Sequence, residues 1–181
     1  MARIYFDVNS YEFKKGLESI RDAYGATVAE LDRRYLLVIG EGERYRREVE
    51  AGLKPDAEWD DDRVLYTYAD LYKHQEEEAA AALPIAMQAY VVILHHYWEK
   101  WCKRTLCQKQ YKAQEAYASL QASGSTVDVD GLENLRKAAN AIKHDHELTT
   151  PLDDAMMRRL FEAVRASGPD VGSMFDRRQA S

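Results

Sequence analysis

The chain has 181 residues, of which 46% are hydrophobic and 31% are charged. This composition is too apolar for an intrinsically disordered protein, and the length fits one domain, since about 150 residues per domain is a usual size. The formal net charge of -6 excludes proteins that hold nucleic acid through a broad basic face. A small, local basic site remains compatible with this charge.

The sequence predicts a cytoplasmic protein. Its N-terminus lacks the apolar core of a signal peptide, and the longest uninterrupted apolar run, residues 89–94, is far shorter than the roughly 20 residues of a membrane helix. Two cysteines, Cys102 and Cys107, fall on different faces of a predicted helix. That placement favours reduced, buried thiols over a disulfide.

The chain opens with a pattern of alternating side chains. Residues 3–8 place apolar groups on one side of an extended chain, which predicts a short half-buried strand. Its partner is either a symmetry mate or residues 35–39, an apolar run before Gly40.

We prefer a helical interpretation of that second run. Apolar residues recur every three or four positions over residues 13–49, and Ser10 provides an N-cap. The resulting helix is up to about 60 Å long, unless Gly40 and Gly42 break it. A stripe of this length predicts packing on another long helix or on a second subunit.

The middle of the chain predicts a loop followed by helices. Residues 54–62 include a proline and four aspartates, which is typical of a solvated loop. Helical spacing resumes near Arg63, and Pro84 is expected to kink or end that helix. From Leu83 the apolar stripe predicts a central core helix that continues towards Leu120.

The C-terminal third predicts two shorter helices. Residues 122–131 form a loop, and the next helix then places Leu132, Leu135, Ala139 and Ile142 on one face. The last helix has Thr150 as its N-cap and Pro151 at its first position, and it ends near Ala166.

These elements predict an all-α fold, a bundle of long helices with a short N-terminal strand. Residues 1–54 form a long helix that serves as a coiled coil or dimerisation arm, and residues 63–168 form the helical bundle. Residues 169–181 form a mobile tail.

The densest group of polar side chains lies in residues 135–147. One face of the predicted helix carries Arg136, Asn140, Lys143 and Glu147, with His144 at its edge. Such a face suits cleavage of a phosphodiester, because an imidazole moves a proton near neutral pH and cations hold the anionic phosphate. The same residues also fit an ordinary solvated helix face.

This arrangement resembles the HEPN domains of prokaryotic toxins and phage-defence proteins. The resemblance covers residues 83–166 and rests on an arginine, an amide and a histidine just past a lysine, on a helix that follows an aromatic one. It implies a bundle that dimerises and places two such motifs in one cleft for metal-independent RNA cleavage. The family separates its arginine and histidine by four to six residues, whereas seven separate Arg136 from His144, and Lys137 stands at the six-residue spacing.

We therefore predict a toxin or defence endoribonuclease that is a homo-oligomer and is restrained by a protein partner. The expected catalytic residues are His144, Arg136, Asn140 and Lys143, and the expected substrate-binding residues are Lys137 and His146. The alternative is a non-enzymatic helical interaction protein of phage or host-defence origin. Convergence of Arg136, Asn140 and His144 in one cleft would favour the enzyme.

No metal and no cofactor are predicted. Residues 144–147 crowd together, and His95 stands four residues before Glu99, but neither group supplies the three or four protein ligands that zinc usually takes. His95 and His96 are expected to be core or interface residues beside Trp98.

Overall fold

The computed structural model describes residues 8–61, 63–146, 148 and 151–169. These residues form five helices and a two-stranded sheet, which confirms the all-α class with a small strand pair. In chain order the elements are α1 (Val8–Glu50), β1 (Ala57–Asp60), β2 (Arg63–Thr67), α2 (Tyr68–Thr105), α3 (Ala113–Ala122), α4 (Val129–Lys143) and α5 (Asp154–Ser167).

The long N-terminal helix is confirmed as α1. It runs through Gly40 and Gly42 without a break, and Ser10 is a buried residue inside it rather than its N-cap. The strand predicted over residues 3–8 lies outside the described residues except for Val8, which is helical. The tail from residue 170 onward also lies outside them.

A β-hairpin replaces the predicted loop and the predicted start of the second helix. β1 and β2 pair antiparallel, with Ala57 opposite Thr67. The residues of β2 are rich in β-branched and aromatic side chains, which favour a strand over a helix. Asp61 adopts a φ of 52° beside the hairpin turn, a conformation that aspartate tolerates better than most residues.

α2 differs from the prediction at its C-terminal end. Of the two effects predicted for Pro84, a kink or an end of the helix, the end does not occur, because the packing of residues 87–102 outweighs the one hydrogen-bond donor that proline removes. The helix ends at Thr105 instead of continuing towards Leu120, and Cys107 follows with a φ of 54°. Cys107 is therefore exposed, contrary to expectation, while Cys102 is buried, and both thiols are free.

α2 also bears on the predicted location. It contains an 18-residue window with a mean hydropathy of 1.4, of which 22% is buried. That window meets the length and composition of a membrane span, a property it shares with core helices of soluble proteins. The cytoplasmic location therefore stays a prediction.

The chain divides into two compact units, and the predicted three-part division stays a prediction. The first unit comprises residues up to 24 and from 87 onward, and the second comprises residues 25–86. The core of the first unit draws on α1, α2, α3, α4 and α5. Its fully buried side chains include Leu94, Trp98, Tyr117, Leu135, Met157 and Val164.

The second unit consists of two helical segments and the hairpin. Tyr45 of α1 contacts the rings of Tyr68 and Tyr72, with centroids 4.7 and 5.2 Å away. The Tyr45 hydroxyl donates a hydrogen bond of 2.9 Å to the carbonyl of Pro55. Ala57 is the one buried hydrophobic residue among the described residues of this unit.

Candidate functional site

The position of α4 is set by its apolar face and by its N-terminus. Leu132, Leu135 and Ala139 are buried, as their spacing predicts. Asp128 caps the helix by accepting a hydrogen bond of 3.0 Å from the Gly131 amide. A Cβ at Gly131 would lie 2.5 Å from the Cβ of Ala163, so α4 and α5 approach closely there. These contacts fix the direction of the polar face of α4.

Arg136 is held by a neighbouring carboxylate. Its Nε and Nη2 atoms donate to Glu133, with a shortest distance of 2.8 Å, and the two side chains are 36% and 16% exposed. The hydrogen bond from Arg136 lowers the pKa of Glu133, although partial burial opposes the shift. The Nη1 donors of Arg136 make no hydrogen bond with another described residue, so they remain able to bind an anion.

A chain of hydrogen bonds connects this pair to α2. Trp98 Nε1 donates to the Tyr111 hydroxyl over 3.1 Å, and that hydroxyl lies 3.4 Å from the Tyr117 hydroxyl. Tyr117 in turn interacts with Glu133, and burial raises the pKa of Tyr117 far above its ordinary range. The network therefore anchors Glu133, and through it Arg136, to the core of the first unit.

His95 lies next to this network in the core, as predicted. It is only 3% exposed, and neither ring nitrogen has a hydrogen-bond partner among the described residues. Burial lowers the pKa of His95 to about 4, against the opposing effect of Glu99, and the charges of Lys143 and Arg136 lower it further. The ring is therefore neutral at physiological pH, so its 3.9 Å approach to Glu99 is not an ion pair.

The C-terminal end of α4 presents the exposed polar residues. Lys143 is the last helical residue, and His144 forms the C-cap, donating its backbone N–H to the Asn140 carbonyl over 3.1 Å. Asp145 then turns the chain with a φ of 53°, which brings the ring of His146 to 6.0 Å from that of His144. Both imidazoles are exposed.

The site residues expected from the sequence fall into two groups. Arg136, Lys137 and Asn140 lie along α4, and Lys143, His144 and His146 lie at its C-terminal end. Arg136 and His144 lie eight positions apart, about 12 Å along a helix, and Arg136 is tied to the preceding turn. Asn140 lies between them and is half-buried, and Lys137 is exposed. Glu147 lies outside the described residues. The two groups do not converge in one cleft within a single chain. The convergence that would favour the enzyme is therefore not found within one chain, and the enzymatic hypothesis rests on the two exposed imidazoles at the end of α4 instead.

A sizeable groove lies elsewhere in the first unit. It has a volume of about 720 Å³ and is lined by residues of α1, α5 and the turn after α3, among them Phe13, Arg21, Ser125 and Arg165. None of the expected site residues lines it. The imidazoles at the end of α4 are exposed, and an exposed surface suits a long polymeric ligand better than a small one.

Sequence reasoning missed Glu133, Tyr117 and Tyr111. Glu133 precedes Arg136 by three residues, and that spacing is a signal for an ion pair on a helix. No pattern in the sequence marks the two tyrosines as partners of this pair.

Two further observations bear on the site. Among the described residues, no three His, Cys, Asp or Glu side chains gather at a distance that would hold a metal ion. Compared with known protein families, curated proteins and solved structures, the chain matches none.

Proposed function

We propose that the protein is a metal-independent endoribonuclease of the HEPN-like kind, acting as a toxin or defence factor. The observation that supports this function is the pair of exposed imidazoles, His144 and His146, with centroids 6.0 Å apart at the end of α4. General acid–base catalysis needs one group to accept a proton and another to donate one, and this pair supplies both next to the ammonium of Lys143.

In the proposed reaction, His144 accepts the proton of a ribose 2′-hydroxyl. The 2′-oxygen then attacks the adjacent phosphorus and forms a 2′,3′-cyclic phosphate, while the bond from phosphorus to the 5′-oxygen breaks. His146 donates a proton to that leaving oxygen. Lys143 stabilises the negative charge that develops on the non-bridging oxygens.

Arg136 acts at a distance from the reacting phosphate in this proposal. Its side chain is held by Glu133 and starts about two helical turns from His144, so it binds a neighbouring phosphate of the same strand. Lys137 and Asn140 extend this contact along α4. Arg136 is thus a substrate-binding residue, whereas sequence reasoning gave it a catalytic role.

The test is RNA cleavage in the presence of a chelator. The parent protein is expected to cut, and His144→Ala and His146→Ala are each expected to lose about 100-fold or more of the rate, as removal of a general acid or base does. Lys137→Ala is expected to weaken RNA binding. His74→Ala is the matched control, because His74 is an exposed histidine of α2 that contacts Glu78.

Two outcomes contradict the proposal: no RNA is cut under any condition, or His144→Ala cuts as fast as the parent. Circular dichroism of each variant shows whether its helices are intact, so that loss of activity is not confused with unfolding.

A second function is favoured by one observation. The hairpin exposes Trp59 and Val64, which are register partners on one face, with exposed fractions of 57% and 46%. Apolar side chains grouped on a surface mark protein-binding sites. A non-enzymatic interaction protein is the function we propose if RNA cleavage fails.

A further inference from the structure

The exposed side of α1 within residues 25–50 carries a stripe of alternating charges. It consists of Glu30, Arg33, Leu37, Glu41 and Arg44, all of them exposed. Spacings of three and four residues place these five side chains within about 40° of one line along the helix. The stripe faces away from Gly42, which packs against Tyr72 of α2.

In this stripe, residues at equal distances before and after Leu37 carry opposite charges. Arg33 and Glu41 lie equally far on either side of it, as do Glu30 and Arg44. If a second copy of α1 runs antiparallel with its Leu37 opposite the first, Arg33 faces Glu41. In the same register Glu30, which accepts hydrogen bonds of 2.8 Å from Arg33 of its own chain, faces Arg44, and two-fold symmetry repeats each pair. A parallel pairing in register would instead place like charges opposite each other, which is unfavourable.

The apolar residue at the centre of the stripe also fits such a contact. Leu37 is 51% exposed, so its apolar surface is available for burial against another helix. An antiparallel contact centred there joins Leu37 of both copies between the charged pairs. Leu36 is 68% exposed and lies about 100° further round the helix, so it borders this contact.

We propose that α1 binds the same segment of a second copy of this chain, antiparallel and centred on Leu37. The proposal uses no residue of α4, so its test is independent of RNA cleavage. It also differs from the dimer that the family resemblance implies, because that dimer joins the motif-bearing helices.

The geometry is tested by cross-linking in a Cys107→Ser background, which removes the exposed native thiol. Leu37→Cys is expected to form an interchain disulfide under mild oxidation, because the two copies of this position meet at the two-fold axis. Arg44→Cys is the matched control, since its two copies would lie about 21 Å apart along the helices, too far for a disulfide. Cross-linking at position 44 as strong as at position 37 would overturn the antiparallel register, and no cross-linking at position 37 would overturn the contact.

The charge pairing is tested by sedimentation over a range of concentrations. Glu41→Arg places arginine opposite Arg33 and is expected to weaken dimerisation about tenfold or more. Arg33→Glu combined with Glu41→Arg restores opposite charges between the copies and is expected to recover part of that loss, because it also breaks the ion pair between Arg33 and Glu30 within each chain. A parent chain that stays monomeric, or a double variant no better than Glu41→Arg alone, would overturn the proposal.

Discussion

The two compact units of the chain differ in where they keep their apolar side chains. Among the residues that the structure describes, all the buried hydrophobic ones except Ala57 belong to the first unit, whereas most of the exposed large ones, such as Leu36, Leu53, Leu65 and Ile85, belong to the second. The first unit packs segments of five helices around one core, and the second has two helical segments and a hairpin. Apolar periodicity along a helix therefore produces a core only where enough elements surround it.

The largest expected difference between the units is in the cost of removing a leucine. Leu135 of α4 is fully buried, and Leu36 of α1 is 68% exposed. Leu135→Ala is expected to lower the free energy of unfolding by about 2–5 kcal/mol, because it leaves a cavity. Leu36→Ala is expected to change it by less than about 0.5 kcal/mol in the monomer.

Urea denaturation at low protein concentration measures the free energy of unfolding of both leucine variants. The low concentration keeps any effect of Leu36→Ala on dimerisation out of the comparison. Equal losses in the two variants would contradict the difference that we draw between the units.

The next largest effect is a pH dependence that comes from the buried imidazole. The pKa of His95 is about 4 in the folded state and 6.5 in the unfolded state. The unfolded state therefore binds more protons between these values, so stability falls as pH drops from 6.5 towards 4. The expected loss from this one group is about 3 kcal/mol.

His95→Phe is expected to remove this part of the acid sensitivity while leaving stability at neutral pH equal or higher. The ring nitrogens of His95 have no partner among the described residues, so phenylalanine removes a desolvation cost. His74→Phe is the matched control in the second unit, where His74 is exposed. Denaturation curves measured from pH 4 to 7 give the free energy of unfolding of each variant as a function of pH. If this free energy falls with pH in His95→Phe as steeply as in the parent, His95 is not held neutral by burial.

The fold was predictable where apolar residues recur every three or four positions over a long segment of the sequence. Phe13 and Leu17 of α1, and Leu135 and Ala139 of α4, are buried as their spacing predicts. The hairpin was not predictable in this way, because its short apolar run fits a strand and a helix equally well. The end of α2 was missed for a different reason, since it depends on the positive φ of one residue, Cys107.

The candidate site was predictable only as a polar helix face. The helical period places Arg136, Asn140 and Lys143 together on α4, but it carries no information on side chains from other elements. The burial of His95 and the anchoring of Glu133 by Tyr117 depend on residues far apart in the sequence. Such contacts are set by tertiary packing, which a pattern within one helix does not reveal.

The chemical ends of the cut RNA test the proposed acid–base function most directly. Attack by the 2′-oxygen, assisted by His144 and His146, predicts products that end in a 2′,3′-cyclic phosphate and a 5′-hydroxyl, formed in the presence of a chelator. Products that end in a 3′-hydroxyl and a 5′-phosphate would show that water attacks the phosphorus, as it does in metal-assisted hydrolysis. That result would contradict the role proposed for the two imidazoles at the end of α4.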